Sequence, residues 1–108
     1  MRAACLALLP FFALGPAHAE DGRRTLAAAG CSGCHDIPGL APRGGNVGPS
    51  LEGFGERVYI AGILPNTREN LIRWITQAQD VHPGDAMPST PLAPAQADAV
   101  AAYLQKLR

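Results

Sequence analysis

Cys31-Ser32-Gly33-Cys34-His35 is the stretch on which the reading of this chain turns. Two thiols three residues apart near a helix end can each bond one vinyl group of a single porphyrin. The histidine that follows at once can then point its imidazole at the iron. Small Ser32 and Gly33 let the backbone approach the ring edge. Cys-x-x-Cys-His is the pattern of covalent haem attachment. Three other readings use the same residues. A thioredoxin-like redox pair needs a βαβ context, and no strand signal of any strength is present. A zinc site needs four ligands, for which Cys31, Cys34, His35 and the distant His82 are the candidates. A plain disulfide suits an exported protein but leaves His35 without a role.

Upstream of the motif, residues 1–19 read as a cleaved secretory signal. Arg2 gives the positive start, Cys5 to Gly15 is almost wholly apolar, and Ala17-His18-Ala19 is the small-x-small cleavage pattern. The alternative is a retained membrane anchor. Against it, the apolar run is too short to cross roughly 30 Å of hydrocarbon, and Pro10, Gly15 and Pro16 interrupt it. Cys5 has no apolar stretch before it and reads as part of the apolar region, not as a lipid site. The mature domain is then residues 20–108, exported to the periplasm with no membrane span.

The chain carries nine Lys+Arg and nine Asp+Glu; Arg2 falls in the signal, leaving eight against nine. That balance lacks the basic excess of a nucleic-acid binder. Only Phe54, Tyr59, Trp74 and Tyr103 supply aromatic bulk to the mature part. A domain this small is marginal without a staple, metal or cofactor. A large flat cofactor would supply the missing core.

Downstream and upstream, the pattern is helical with long loops. Asp21 to Ala29 reads as a first helix with Asp21 as its N-cap and Gly30 near its end. Asp36 to Gly55 is a Gly- and Pro-rich loop long enough to wrap a ligand. Arg57 to Leu64 reads as a short helix or turn. Asn66 with Glu69 forms a capping-box-like start; Leu71, Trp74, Ile75 and Ala78 follow at helical spacing. Asp80 to Pro94 is a second Pro-rich loop. A last helix over Pro94 to Leu107 buries Ala97, Val100, Ala101 and Leu104. The class is all-α.

Haem iron takes His, Met, Cys or Tyr on its axis. Beyond His35 the mature chain offers one methionine, Met87, and one further histidine, His82. Met87 sits in the turn-rich Pro83-Gly84-Asp85-Ala86-Met87-Pro88 and is the favoured sixth ligand. The competing reading of Met87 is a gap-filling core residue.

In order along the chain, a first helix with Gly22 and Leu26, the Cys31–His35 motif, Gly48-Pro49-Ser50-Leu51, Met87 and a last helix with Tyr103 resemble the class I cytochromes c. The resemblance covers essentially the whole mature sequence. Cytochromes c′ carry their haem motif near the C-terminus and do not match. Leu64 to Ile75 followed by Pro83-Gly84-x-x-Met87-Pro88 is similar to the cytochrome c domain fused to subunit II of some bacterial cytochrome c oxidases. The copper-binding part of such a subunit is lacking, so the resemblance is to a free-standing relative. It implies a small cytochrome c fold of three to five helices around one haem c, held through two thioethers. It also implies that Pro49 offers its carbonyl to the second nitrogen of His35 and that Leu51 packs on the proximal face. Arg57 would lie near a propionate, or be a solvated surface charge. Trp74 would lie on the Met side, or be a plain core aromatic. Gly22, Leu26 and Tyr103 would form the crossing of first and last helices. The basic ring of mitochondrial cytochrome c is absent.

A haem ligated by His35 and Met87 has no open position, which implies an electron carrier and not an enzyme. The expected role is a monomeric periplasmic shuttle from a quinol-oxidising complex or dehydrogenase to a terminal oxidase or reductase, its partners membrane-bound respiratory complexes. The alternatives are a dedicated haem subunit of a larger redox enzyme, and a haem sensor or enzyme with a labile sixth ligand.

Overall fold

The computed structural model describes residues 17–108, with side chains from Asp21 onward. The apolar stretch and most of the expected signal, residues 1–16, lie outside the described residues. Helix α1 is Ala17–Ala28. It begins four residues before Asp21, which therefore lies inside the helix and does not cap it. Ala17, Ala19 and Glu20 are strong helix formers, and their propensity extends the helix through the expected cap. Gly30 ends the run in a left-handed conformation (φ 78°), and a 3₁₀ turn over Cys31–Gly33 follows.

A second 3₁₀ turn, Phe54–Glu56, leads into strands β1 (Tyr59–Ile60) and β2 (Leu64–Pro65), paired antiparallel with Ile60 opposite Leu64. The sequence suggests a short helix or turn here. The structure makes a minimal hairpin. Its reversal is closed by the Ile63 N–H donating to the Ile60 carbonyl at 2.9 Å. Both central residues, Ala61 (φ 52°) and Gly62 (φ 69°), are left-handed. That is the primed geometry that suits the twist of two strands, reached here without the Asn-Gly or Asp-Gly pair that usually announces it.

Helix α2 is Arg68–Val81, kinked at Gln77 (φ −136°, ψ 34°). Its N-cap is Thr67, whose hydroxyl accepts the Asn70 N–H at 3.2 Å. Asn66, the expected cap, donates its side-chain amide to the Phe54 and Arg57 carbonyls at 3.2 and 2.9 Å. It ties the hairpin to the helix start, so the capping duty passes one residue on. Helix α3 is Pro94–Gln105, two residues shorter than expected, with the Ala93 N–H donating to the Gln96 side chain at 3.0 Å.

Leu71, Trp74, Ile75 and Ala78 on α2 and Ala97, Val100, Ala101 and Leu104 on α3 are all buried, as the helical spacing implies. All but Ala97 join one cluster with Leu26 of α1, Ile37 and Leu51 from the loops, Phe54 of the second 3₁₀ turn and Ile60 of β1. Leu26, 1 % exposed, gains on the order of 1.5–3 kcal/mol from burial. Helices α1 and α3 cross at Gly22. A Cβ there would run into the Ala99 carbonyl and stand 2.9 Å from Tyr103 Cβ. The architecture is all-α with long loops and one small hairpin among the described residues.

This crossing yields a stability prediction. In Gly22→Ala, overpacking costs about 1–3 kcal/mol and outweighs the helix propensity gained, about 1 kcal/mol. For a domain this size each kcal/mol moves the melting temperature by roughly 4–8 °C. Circular dichroism melts of the haem-loaded protein should show a fall of several degrees; a rise would mean that the seam opens without cost.

Candidate functional site

The 3₁₀ turn at the end of α1 sets the spacing of the thiols. Cys34 and His35 both donate their backbone N–H to the Cys31 carbonyl, at 3.2 and 2.9 Å. This curls the five residues tightly, with Ser32 packed inside. Cys31 and Cys34 are free, half-buried thiols. Burial pushes the Cys31 thiol up; the backbone at Cys31 opposes this and the neighbouring Cys34 adds to it. Among the described residues no group of three His, Cys, Asp or Glu is disposed to hold a metal ion, so the zinc reading finds no ligand set.

His35 is held from two sides. Its Nδ1 lies 2.8 Å from the Pro49 carbonyl. A carbonyl only accepts, so Nδ1 carries the proton and Nε2 keeps its lone pair for a metal. Gly48 donates its N–H to the Cys34 carbonyl at 2.8 Å and lies close against the ring. A Cβ at Gly48 would run into His35 Cε1 and stand 2.6 Å from Nδ1. Leu51 donates its N–H to the Asp36 carbonyl at 2.8 Å, and Ser50 its hydroxyl to the Asp36 carboxylate at 3.0 Å. Residues 48–51 thus run alongside residues 34–36, and Leu51 is buried next to the histidine segment.

Met87 reaches the same space from the loop after α2. Asp85 organises it. One carboxylate oxygen accepts the Met87 N–H at 2.9 Å, and the other lies 2.9 Å from His82 Nδ1. The Met87 N–H, and then His82, hold the Asp85 carboxyl below the usual carboxylate range. His82 is 55 % exposed and borders none of the cleft described next, whereas Met87 does. Of the two side chains, only Met87 borders the space that His35 also borders.

Between these segments lies a cleft of about 1120 Å³, counting its open mouth. All eight residues singled out from the sequence border it: Cys31, Cys34, His35, Pro49, Leu51, Arg57, Trp74 and Met87. A smaller space of about 540 Å³ shares Cys31, His35, Trp74 and Met87 and extends to Leu26, Leu71, Val100 and Leu104. Protein interiors tolerate few voids larger than a water. A haem fits what is present: an apolar slot, two free thiols on its wall, one imidazole with a free nitrogen and one thioether. Trp74 is buried, so its core role and its place on the cleft coincide. Arg57 is an engaged side chain: its guanidinium donates to the Ser50 carbonyl and lies 5.5 Å from the centre of the Phe54 ring.

Gly48, Phe54, Ile60 and Gln79 escape a reading of the sequence alone. Phe54 and Ile60 are isolated apolar residues in segments without period. Gly48 enters the sequence reading only within Gly48-Pro49-Ser50-Leu51, with nothing to mark its contact with His35. Gln79 binds the Asp85 and Met87 carbonyls through its side-chain amide, both at 2.8 Å. Only the helix face shared with Ile75 and Ala78 hints at its inward position.

The family model described as Cytochrome c matches residues 19–108. Cytochrome c oxidase subunit 2 of Alkalihalophilus pseudofirmus is 38 % identical over 91 residues, covering 83 % of this chain and 26 % of that protein. The subunit of the same description from Bacillus sp. strain PS3 is 39 % identical over 82 residues, 72 % of this chain and 23 % of that one. That from Bacillus subtilis is 28 % identical over 94 residues, 83 % and 26 % respectively. The chain spans about a quarter of the length of these curated relatives.

The contact between Gly48 and His35 predicts a local defect. Gly48→Ala should tilt the imidazole or push the loop outward, at about 1–3 kcal/mol. The melting temperature should fall and the ferric absorption spectrum should shift away from a strong-ligand form. An unchanged spectrum would mean that the ring is fixed by the motif alone.

Proposed function

The chain belongs to the cytochrome c family, whose members bind haem c covalently and transfer electrons, and on that premise we propose that it is a periplasmic electron carrier with His35 and Met87 as the axial ligands. The single observation that carries the reading is that one apolar cleft is bordered by both: a histidine whose Nδ1 is already bonded and a methionine held by its own loop. Haem c supplies a one-electron couple, and a thioether ligand with burial raises its potential. The protein's part is to keep both ligands in place through the change of charge. Pro49 fixes the ring of His35, and Asp85 fixes the backbone of Met87. Arg57 at the cleft edge suits a propionate, since a guanidinium pairs well with a carboxylate. Export follows from the signal reading of residues 1–19.

Donor and acceptor on this reading are a quinol-oxidising complex or dehydrogenase and a terminal oxidase or reductase. A second reading, a dedicated subunit of a larger redox enzyme, draws on the relatives, which are themselves oxidase subunits. Size-exclusion of a native extract separates a monomeric carrier from a bound subunit. A sensor or enzyme with a labile sixth ligand would leave the iron open, and an optical spectrum decides that case. A charge-transfer band at the red end marks iron bound to sulfur.

Two measurements test the proposal. Met87→Ala should abolish that band, lower the potential, and let imidazole or carbon monoxide bind readily. If spectrum and potential stay unchanged, the ligand is another residue. The second concerns docking. Val47, 72 % exposed, lies at the cleft mouth with Ala86 and Pro88, and the whole chain is neutral. Contact there is apolar, and transient redox encounters need little area. Stopped-flow oxidation by the physiological acceptor should therefore slow only about two- to three-fold between low and physiological salt, where steered pairs fall steeply. A tenfold fall would reveal a charged steering surface.

A further inference from the structure

The kink in α2 faces the loop that carries Met87. In a straight helix the Gln79 N–H and the Ile75 carbonyl would form one rung of the ladder. At the kink both reach sideways. The Gln79 N–H donates to the Ser89 hydroxyl at 3.0 Å, and the Ile75 carbonyl accepts the Thr90 N–H at 2.9 Å. The non-helical backbone of Gln77 turns them outward.

The Gln79 side chain adds three bonds to the same loop. Its two amide hydrogens go to the Asp85 and Met87 carbonyls, both at 2.8 Å, and its oxygen accepts the Gly84 N–H at 3.1 Å. Gln79 thus holds the loop on both sides of Met87: residues 84 and 85 before it, its own carbonyl, and Ser89 after it. An amide suits the task because it offers two donors and an acceptor in one plane. A carboxylate would face two carbonyls with no hydrogen to give.

We infer that Gln79 is a positioning residue for the sixth haem ligand: with the kink at Gln77 it clamps the Met87 loop and decides how easily the thioether is displaced. The inference rests on the reading of Met87 as that ligand. Asp85 shapes the loop from within, through the Met87 N–H, whereas Gln79 fastens the finished loop to the helix. A ligand that dissociates must carry its loop outward, and that movement breaks the Gln79 bonds.

The test is imidazole titration of the ferric holoprotein, followed by absorption, together with the intensity of the iron–sulfur charge-transfer band. Gln79→Leu keeps the bulk and removes all three side-chain bonds. Imidazole should then bind roughly tenfold or more tightly, the factor expected when one or two neutral hydrogen bonds no longer oppose opening. The band should weaken at neutral pH. Ser89→Ala removes one bond, should give a smaller change of about threefold, and carries the test if Gln79→Leu fails to fold. Gly22→Ala, which strains the distant helix crossing, should lower the melting temperature without altering imidazole affinity; this distinguishes clamping from general stability. A Gln79→Leu protein with wild-type band and affinity would overturn the inference while leaving Met87 as ligand. A wild-type protein without the band would sink both.

Discussion

The three helices of this small domain enclose an apolar space that their side chains line but do not fill. Leu26 of α1, Leu71 and Trp74 of α2, and Val100 and Leu104 of α3 all border it while being buried by the protein around them. Apolar walls facing a void forfeit the dispersion contacts that a close-packed interior would give. Folding and cofactor binding are therefore parts of one process: whatever fills the cleft binds the folded chain and stabilises it. The covalent bonds at Cys31 and Cys34 make that filling permanent. The low aromatic content and the long loops follow from the same constraint, since the core is completed by a group that is not an amino acid.

Long loops still have to satisfy their backbone groups. The loop after the motif does so through distant partners. Tyr103 donates its hydroxyl to the Pro38 carbonyl at 2.6 Å, across 65 residues of sequence, and Arg23 donates Nε to the Gly39 carbonyl at 2.8 Å. Gly48 and Leu51 pair with Cys34 and Asp36. Asn66 serves two carbonyls of the next turn with its nitrogen, while its own oxygen is buried without a protein partner. These loops are ordered by single bonds to α1 and α3 and by bonds to one another, where another fold would use a sheet. The immediate gain is local: the Pro49 carbonyl stays where His35 needs it.

The helices and the lining of the cleft were legible for one reason and the loops illegible for another. Helical period survives in sequence because each turn repeats it, so the buried faces of α2 and α3 could be read directly. The lining of the cleft was legible because covalent attachment demands fixed spacing, and because residues 20–108 hold only two histidines and one methionine. Caps and turns depend on one or two residues, and near-equivalent neighbours compete. Thr67 takes the cap because Asn66 is spent on the hairpin, and Ala61-Gly62 makes a primed turn without a favoured pair. Gln79 was hidden because only its helix face hints at its position; its partners lie across a loop whose path is set by Asp85 and the kink.

The seam at Gly22, Ala99 and Tyr103 joins segments about eighty residues apart, and such contacts form late because much chain entropy is lost before they reward it. During synthesis the chain emerges from its N-terminal side. The α1 segment and both thiols therefore exist before α3 can pack against α1. Until α3 docks, the space that Cys31 borders lacks the wall supplied by Val100 and Leu104. Completing the last helix turns that open edge into the closed side of the cleft.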